Sequence, residues 1–146
     1  MKKEKKIYIA GHAGLVGSAI LRQLRQAGYQ NLVFRTHSEL DLTDLRQARE
    51  FLECEQPECI ILAAAKVGGI MANKTYPVEF LNVNLAIQSN IILSAAQLGI
   101  QDLIFLGSSC IYPRDCPQPI KEEYLLTGPL ELTNRAYAVA KIAGIE

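Results

Sequence analysis

Apolar positions along this chain fall into two alternating rhythms. Lys6-Ile7-Tyr8-Ile9-Ala10 is a short apolar run closed by glycine, the pattern of a buried strand. Leu15, Val16, Ala19, Ile20 and Leu24 then recur at helical spacing, and Gly28 punctuates the end. Leu32-Val33-Phe34 predicts a second strand. A helix follows from Leu42 to Cys54, with Thr43 or Asp41 as its cap and Leu45, Ala48, Phe51 and Leu52 facing inward. Ile60 to Ala65 is an uninterrupted apolar strand, and Val78 to Leu98 a long helix ended by Gly99. Leu103 to Leu106 predicts a further strand, and another helix begins around Tyr137.

Strands apolar on both faces, alternating with helices, indicate a parallel sheet covered on both sides. The predicted fold is therefore α/β, a Rossmann-like doubly wound parallel sheet. Between its last predicted strand and helix, the stretch from Tyr112 to Arg135 carries Pro113, Pro117, Pro119, Gly128 and Pro129, a long loop suited to lining a pocket.

Composition narrows the partners. With 15 basic and 15 acidic side chains among 146 residues, the formal net charge is +0, and no basic field favours nucleic acid or an anionic membrane. The basic start, Met1 to Lys6, precedes only Ile7 to Ala10 before Gly11, too short an apolar run for a signal-peptide core. It reads as a solvated lead-in to a strand, and a cytoplasmic location is expected. Cysteines 54, 59, 110 and 116 form no Cys-x-x-Cys pair and have no histidine at zinc-ligand spacing, so no metal is expected. Cys59 reads as a small core residue.

Gly11-His12-Ala13-Gly14-Leu15-Val16-Gly17 lies between the first strand and first helix, where a dinucleotide's pyrophosphate would sit. Glycines there permit a tight turn and close backbone approach, and the helix N-terminus offers amide donors and positive potential. The spacing is Gly-x-x-Gly-x-x-Gly, and a purely structural turn is the competing reading. The second strand ends in Arg35-Thr36-His37-Ser38, with no acid until Glu39. A cation at that place suits the 2′-phosphate of NADP, where NAD calls for a carboxylate. Asp41 and Leu42 are placed either to meet adenine or to cap the following helix.

Tyr137 and Lys141 stand at i and i+4, on one helix face. A lysine ammonium beside a phenol favours the phenolate, so the pair predicts a tyrosine tuned for proton transfer. A tyrosine packed at a helix edge beside a solvated lysine fits the spacing as well. Ser108-Ser109-Cys110-Ile111-Tyr112-Pro113 follows the strand at 103–106, at the carboxyl end where open parallel sheets place ligands. Ser108 is there either a hydrogen-bond donor to a carbonyl or a turn hydroxyl.

Glycine turn, Ala63-Ala64-Ala65, Ser108-Ser109 and Tyr137-x-x-x-Lys141, in this order, resemble the extended short-chain dehydrogenase/reductase family. Lys66-Val67-Gly68-Gly69-Ile70, Asn73, Thr75-Tyr76-Pro77, Asn84, the 107–113 stretch and Tyr137 to Gly144 resemble its branch acting on GDP-4-keto-6-deoxy-D-mannose. That resemblance implies epimerisation at C3 and C5 of the keto sugar, then reduction of its C4 ketone by NADPH. It implies that Ser108 and Tyr137 contact the C4 oxygen, that Lys141 tunes Tyr137 and holds the nicotinamide ribose, and that Cys110 is the epimerisation base. Gly11, Gly14, Leu15, Val16, Gly17, Arg35, Asp41, Leu42, Ala64 and Ala65, with Tyr137 and Lys141, would hold NADP. Asn84 would be a buried hydrogen-bonding residue. A homodimer is implied for the full-length enzyme.

The chain departs from the family pattern at Ala13 and His37, where arginines help hold the 2′-phosphate; weaker NADP discrimination follows. The histidine acid of the epimerase pair has no counterpart here. Residues 1–146 therefore read as an incomplete NAD(P)-binding domain lacking its substrate domain, with a sheet edge left open and little turnover expected. Two other readings stay open: another nucleotide-sugar epimerase, dehydratase or reductase in which Cys110 is only a packed thiol, and a non-catalytic nucleotide-binding fragment.

Overall fold

A computed structural model describes residues 2–146; Met1, the first residue of the basic lead-in, lies outside the described residues. The chain forms two compact units, one of the residues up to Ala65 with Ala86–Leu106, the other of Lys66–Leu85 with Gly107–Glu146.

The first unit is the sheet. Strands β1 (Ile7–Ala10), β2 (Leu32–Val33), β3 (Cys59–Leu62) and β4 (Asp102–Phe105) are all parallel, in the order β2-β1-β3-β4. Every residue of β1 and β3 is buried, because these strands occupy the centre and face apolar side chains on both sides. One face carries Tyr8, Ala10, Ile60 and Leu62 under Ala48 and Leu52 of helix α2 (Leu45–Glu55). Ile91 and Ala95, from helix α4 (Pro77–Gln97), join the same cluster. The opposite face buries Ile7, Ile9, Cys59 and Ile61 with Leu21 of helix α1 (Leu15–Gln26). Helices on both faces of a parallel sheet make the doubly wound arrangement that the sequence predicts.

The structure corrects three details of this unit. The helix predicted from Leu42 begins at Leu45, and its cap is Asp44, whose carboxylate accepts from the N–H groups of Arg46 and Gln47 at 2.9 and 3.2 Å. Asp41 instead accepts from the N–H and hydroxyl of Thr43, closing a separate turn upstream. The later start puts Leu45 on the solvent side, 44% exposed, and Leu42 takes the core position. Finally, β4 is not buried on both faces: it is an edge strand of alternating exposure, with Ile104 49% exposed.

The second unit holds α3 (Ile70–Thr75), which the apolar pattern does not predict, the start of α4 and α5 (Arg135–Ile145). Single turns of 3-10 helix stand at Ser109–Ile111 and Glu122–Tyr124. Arg114 anchors the long loop: its N–H donates to the Pro129 carbonyl at 3.0 Å and its guanidinium pairs with Glu131 at 3.5 Å. Helix α5 buries Ala138, Ala140, Lys141 and Ile142, so its lysine lies on an inward face.

Candidate functional site

In the sheet unit the glycine turn is built from backbone alone. Gly11 has φ +83°, a left-handed conformation, and a Cβ there would lie 2.6 Å from the Ala64 nitrogen. A Cβ at Gly17 would lie 2.1 Å from the Gly11 oxygen. Gly14, extended, donates its N–H to the Gly11 carbonyl at 3.0 Å and leads into α1 without any side-chain cap. The first N–H groups of α1 therefore keep their donors for an outside acceptor. Beside them Leu15 is 90% exposed, an apolar side chain presented at the mouth of the turn. His12 Nδ1 is buried with no hydrogen-bond partner among the described residues, and its ring lies 4.6 Å from that of Phe34. A close-approach cradle and open helix donors fit the pyrophosphate of a dinucleotide.

The end of β2 is more committed than the sequence suggests. Arg35 donates to the Phe34 carbonyl at 2.9 Å and to Glu55 at 2.8 Å, and its guanidinium lies 5.4 Å from the Phe51 ring centroid. Thr36 donates both N–H and hydroxyl to Glu39 at 2.7 Å, while the Thr36 and Ser38 hydroxyls pair at 3.0 Å. His37 is exposed, 3.9 Å from Asp41. The Thr43 hydroxyl and N–H hold the Asp41 carboxyl below its usual range. Of the two adenine candidates, Leu42 has its side chain in the core. Ala64 follows β3 with its backbone against Gly11, and Ala65 succeeds it.

The second unit gathers Ser108, Cys110, Tyr137 and Lys141. Ser108 caps the 3-10 turn that carries Cys110: its oxygen accepts from the Cys110 N–H at 3.5 Å and from the Cys110 thiol at 3.2 Å. Tyr137 and Lys141 sit one turn apart on α5, the ammonium 5.9 Å from the ring centroid. Lys141 is 3% exposed.

Here the structure corrects the predicted electrostatics. The i, i+4 spacing predicts that Lys141 draws the Tyr137 phenol down. Burial pushes it up instead, and the nearby Cys110 adds to the rise. Burial likewise depresses the Lys141 ammonium, opposed by Cys110. Lys141 is itself disfavoured as a cation in this setting, so desolvation decides both shifts. Tyr137 is held as a neutral phenol, the form that can give a proton. Cys110 lies close enough to act on both.

Elsewhere in the second unit, two asparagines shape the 66–69 loop. Asn84, 2% exposed, accepts the Lys66 N–H at 2.8 Å and donates to the Lys66 carbonyl at 3.0 Å. Asn73 donates to the Gly68 and Gly69 carbonyls at 2.9 and 3.2 Å. In the sequence Asn73 figures only among the residues that carry the resemblance, with no role of its own, four positions after the Gly68-Gly69 pair. Lys66 also pairs with Glu79 at 2.7 Å. Among the described residues no His, Cys, Asp and Glu group could hold a metal, and no helix is long and apolar enough to cross a membrane.

Comparison with known proteins extends the match over the whole chain. A putative GDP-L-fucose synthase 2 of Arabidopsis thaliana is 61% identical over 146 residues, covering 100% of this chain and 44% of that protein. GDP-L-fucose synthase of Escherichia coli K12 is 54% identical over 98% of the chain, again 44% of its length. Among solved structures, a GDP-D-glycero-L-gluco-heptose synthase from Campylobacter jejuni, crystallised in the presence of NADPH, superposes with a TM-score of 0.94. It is 40% identical and covers 99% of this chain and 42% of that one. The chain thus spans less than half the length of the relatives it matches. The sequence profile of a single family matches residues 7–146, and with the parallel sheet, the backbone-built glycine turn and these relatives it shows that the chain belongs to the NAD dependent epimerase/dehydratase family.

Proposed function

We propose that residues 1–146 supply the NADP-binding and ketone-reducing machinery of a GDP-L-fucose synthase, which epimerises GDP-4-keto-6-deoxy-D-mannose at C3 and C5 and reduces its C4 ketone. The observation that carries the reading is the second unit's constellation: a half-buried Tyr137 one helical turn from a buried Lys141, and a Ser108–Cys110 hydrogen bond. The cofactor reading is supported by the backbone cradle of Gly11, Gly14 and Gly17, with the first α1 amides donating to pyrophosphate, and by the relative solved with NADPH.

The residues divide the chemistry as follows. Ser108 donates a hydrogen bond to the C4 carbonyl oxygen, which acidifies the neighbouring C–H bonds. Cys110, as thiolate, takes the proton from C3 or C5; the electron pair moves into the enolate, and return of a proton from the opposite face inverts the centre. NADPH, when bound, supplies the hydride that reduces C4. Tyr137 gives its phenolic proton to the C4 oxygen as that hydride arrives, and Lys141 stabilises the phenolate left behind. Arg35 and Asp41 stand on the adenosine side, where Leu42, its side chain in the core, offers only backbone, and Ala64 and Ala65 complete the cofactor-binding set. The nucleotide-sugar domain and the acid that completes epimerisation belong to length beyond these residues in the relatives, so the 146 residues alone bind NADPH with little turnover. The assembled enzyme is a cytoplasmic homodimer.

The chain lacks tryptophan, so a titration followed by NADPH fluorescence reads the cofactor directly. A chimera placing residues 1–146 before the remaining length of the Escherichia coli enzyme reads the chemistry. Cys110→Ser in that chimera is expected to abolish solvent-deuterium exchange at C3 and C5 while sparing reduction of a ready-epimerised ketone. Unimpaired exchange sinks the assignment. A second reading, a nucleotide-sugar reductase without the epimerase step, draws on the heptose synthase superposition. It predicts that Cys110→Ser leaves turnover of its keto-sugar unchanged.

A further inference from the structure

We infer that Glu55 withholds the Arg35 guanidinium from the ribose 2′-substituent of the cofactor, and so sets how strongly this chain prefers NADPH to NADH. The inference deepens the NADP reading above and rests on it.

Arg35 stands just past β2, where a dinucleotide's ribose is recognised. Bidentate recognition of a phosphate uses the two Nη tips of the guanidinium fork. Both tips are engaged within the protein: Nη1 donates to the Phe34 carbonyl at 2.9 Å, and Nη2 donates to Glu55 Oε1 at 2.8 Å. The plane lies over Phe51. The fork thus already holds a carboxylate.

Glu55 also has a second partner. Its Oε2 lies 3.2 Å from the Lys6 ammonium, which further donates to the Glu55 main-chain oxygen at 2.6 Å. When Arg35 swings away, Lys6 keeps the Glu55 carboxylate paired. The exchange strands no charge, which makes Glu55 a competitor that can be displaced and not a permanent lock. Its side chain and that of Arg35 are 21% and 40% exposed, so the pair is partly screened and its effect on selectivity is graded.

The rest of the segment does not substitute for the fork. Ala13 and His37 are the chain's residues where the resemblance places arginines; Arg25 also lies at this strand end, but its guanidinium is placed over the Phe34 ring, 5.5 Å from the centroid. Glu39, bonded to Thr36, adds a second carboxylate facing the same stretch. Neutralising Glu55 therefore releases the fork and removes a negative charge that a 2′-phosphate meets and a 2′-hydroxyl does not.

The test is a fluorescence titration of the purified chain with NADPH and with NADH at one fixed ionic strength. Glu55→Gln is expected to raise the ratio of NADPH to NADH affinity about two- to fivefold, the range of a partly exposed ion pair, with NADH binding unchanged. Glu55→Gln/Arg35→Gln is expected to lose that gain. A ratio that stays level or falls in Glu55→Gln overturns the inference while leaving the NADP reading intact. A wild-type chain that binds neither nucleotide overturns both. Should Glu55→Gln fail to fold, Glu55→Asp, one methylene shorter, gives a smaller rise in the same direction, and a fall there is equally decisive.

Discussion

One side chain satisfies both main-chain polar groups of another residue: Asn84 accepts the Lys66 N–H at 2.8 Å and donates to the Lys66 carbonyl at 3.0 Å. Its amide also donates to the Phe80 carbonyl one turn back at 2.7 Å. Asn84 is buried, so truncation strands polar groups that water does not readily reach. Asn84→Ala is expected to cost about 1–3 kcal/mol, read as a lower urea midpoint at unchanged slope. A midpoint equal to wild type would show that the 66–69 loop satisfies itself by other means.

The glycine turn predicts a contrast between two substitutions of the same kind. At Gly17 a Cβ meets the Gly11 oxygen at 2.1 Å, backbone against backbone, with no flexible side chain to yield. At Gly69 nothing lies within 4 Å. Gly17→Ala is expected to destabilise by about 1–3 kcal/mol and to abolish NADPH binding, and Gly69→Ala to leave thermal stability unchanged. Equal behaviour of the two variants contradicts the close approach.

The state of Tyr137 has a direction that pH can read. Its phenol is raised by burial and then by Cys110, so the proton-bearing form persists above the ordinary tyrosine range. In the chimera the reductive step is expected to hold its rate as pH rises through neutrality. A step using a phenol drawn down to working pH would lose its acid there. Absorbance titration of wild type against Tyr137→Phe isolates the same ionisation, and Tyr137→Phe should slow reduction about 10²–10⁴-fold.

Acid stability follows from two carboxylates at the start of α2. Asp41 is lowered by the Thr43 hydroxyl and N–H; Asp44 by the side chain and N–H of Gln47. A depressed folded value means each contributes above the ordinary carboxylate range, and the contribution disappears as pH falls through the folded value. Asp44→Ala removes the N-cap and is expected to lower Tm by about 2–5 °C at neutral pH. The gap should close on acidification; a gap independent of pH is the contrary result.

Much of this architecture is legible in the residues because it depends on local patterns. Ile7–Ala10 and Cys59–Leu62 are buried on both faces, and their unbroken apolar runs say so. The errors fall where three-dimensional competition decides. Three oxygen-bearing residues, Asp41, Thr43 and Asp44, all qualify as caps; the winner depends on which carboxylate reaches Arg46 and Gln47. Ile104 is apolar yet half exposed, in the last strand of the order β2-β1-β3-β4, and an apolar run does not say which face of a strand is covered. For Tyr137 and Lys141 the helical spacing was right and the electrostatics wrong, since spacing reports proximity and says nothing of how deeply α5 is buried. The commitment of Arg35 to a glutamate 20 positions away has no sequence signature at all.

At the Gly11–Gly17–Ala64 contact backbone meets backbone, with no room for a side chain on either glycine. Mutation there has nothing to adjust: a variant either keeps the turn or loses it. Divergence in cofactor choice among descendants of such a chain is therefore confined to positions 35–41 and their supports, where single substitutions change affinity by degrees. The unyielding floor and the adjustable rim lie at the ends of neighbouring strands, β1 and β2.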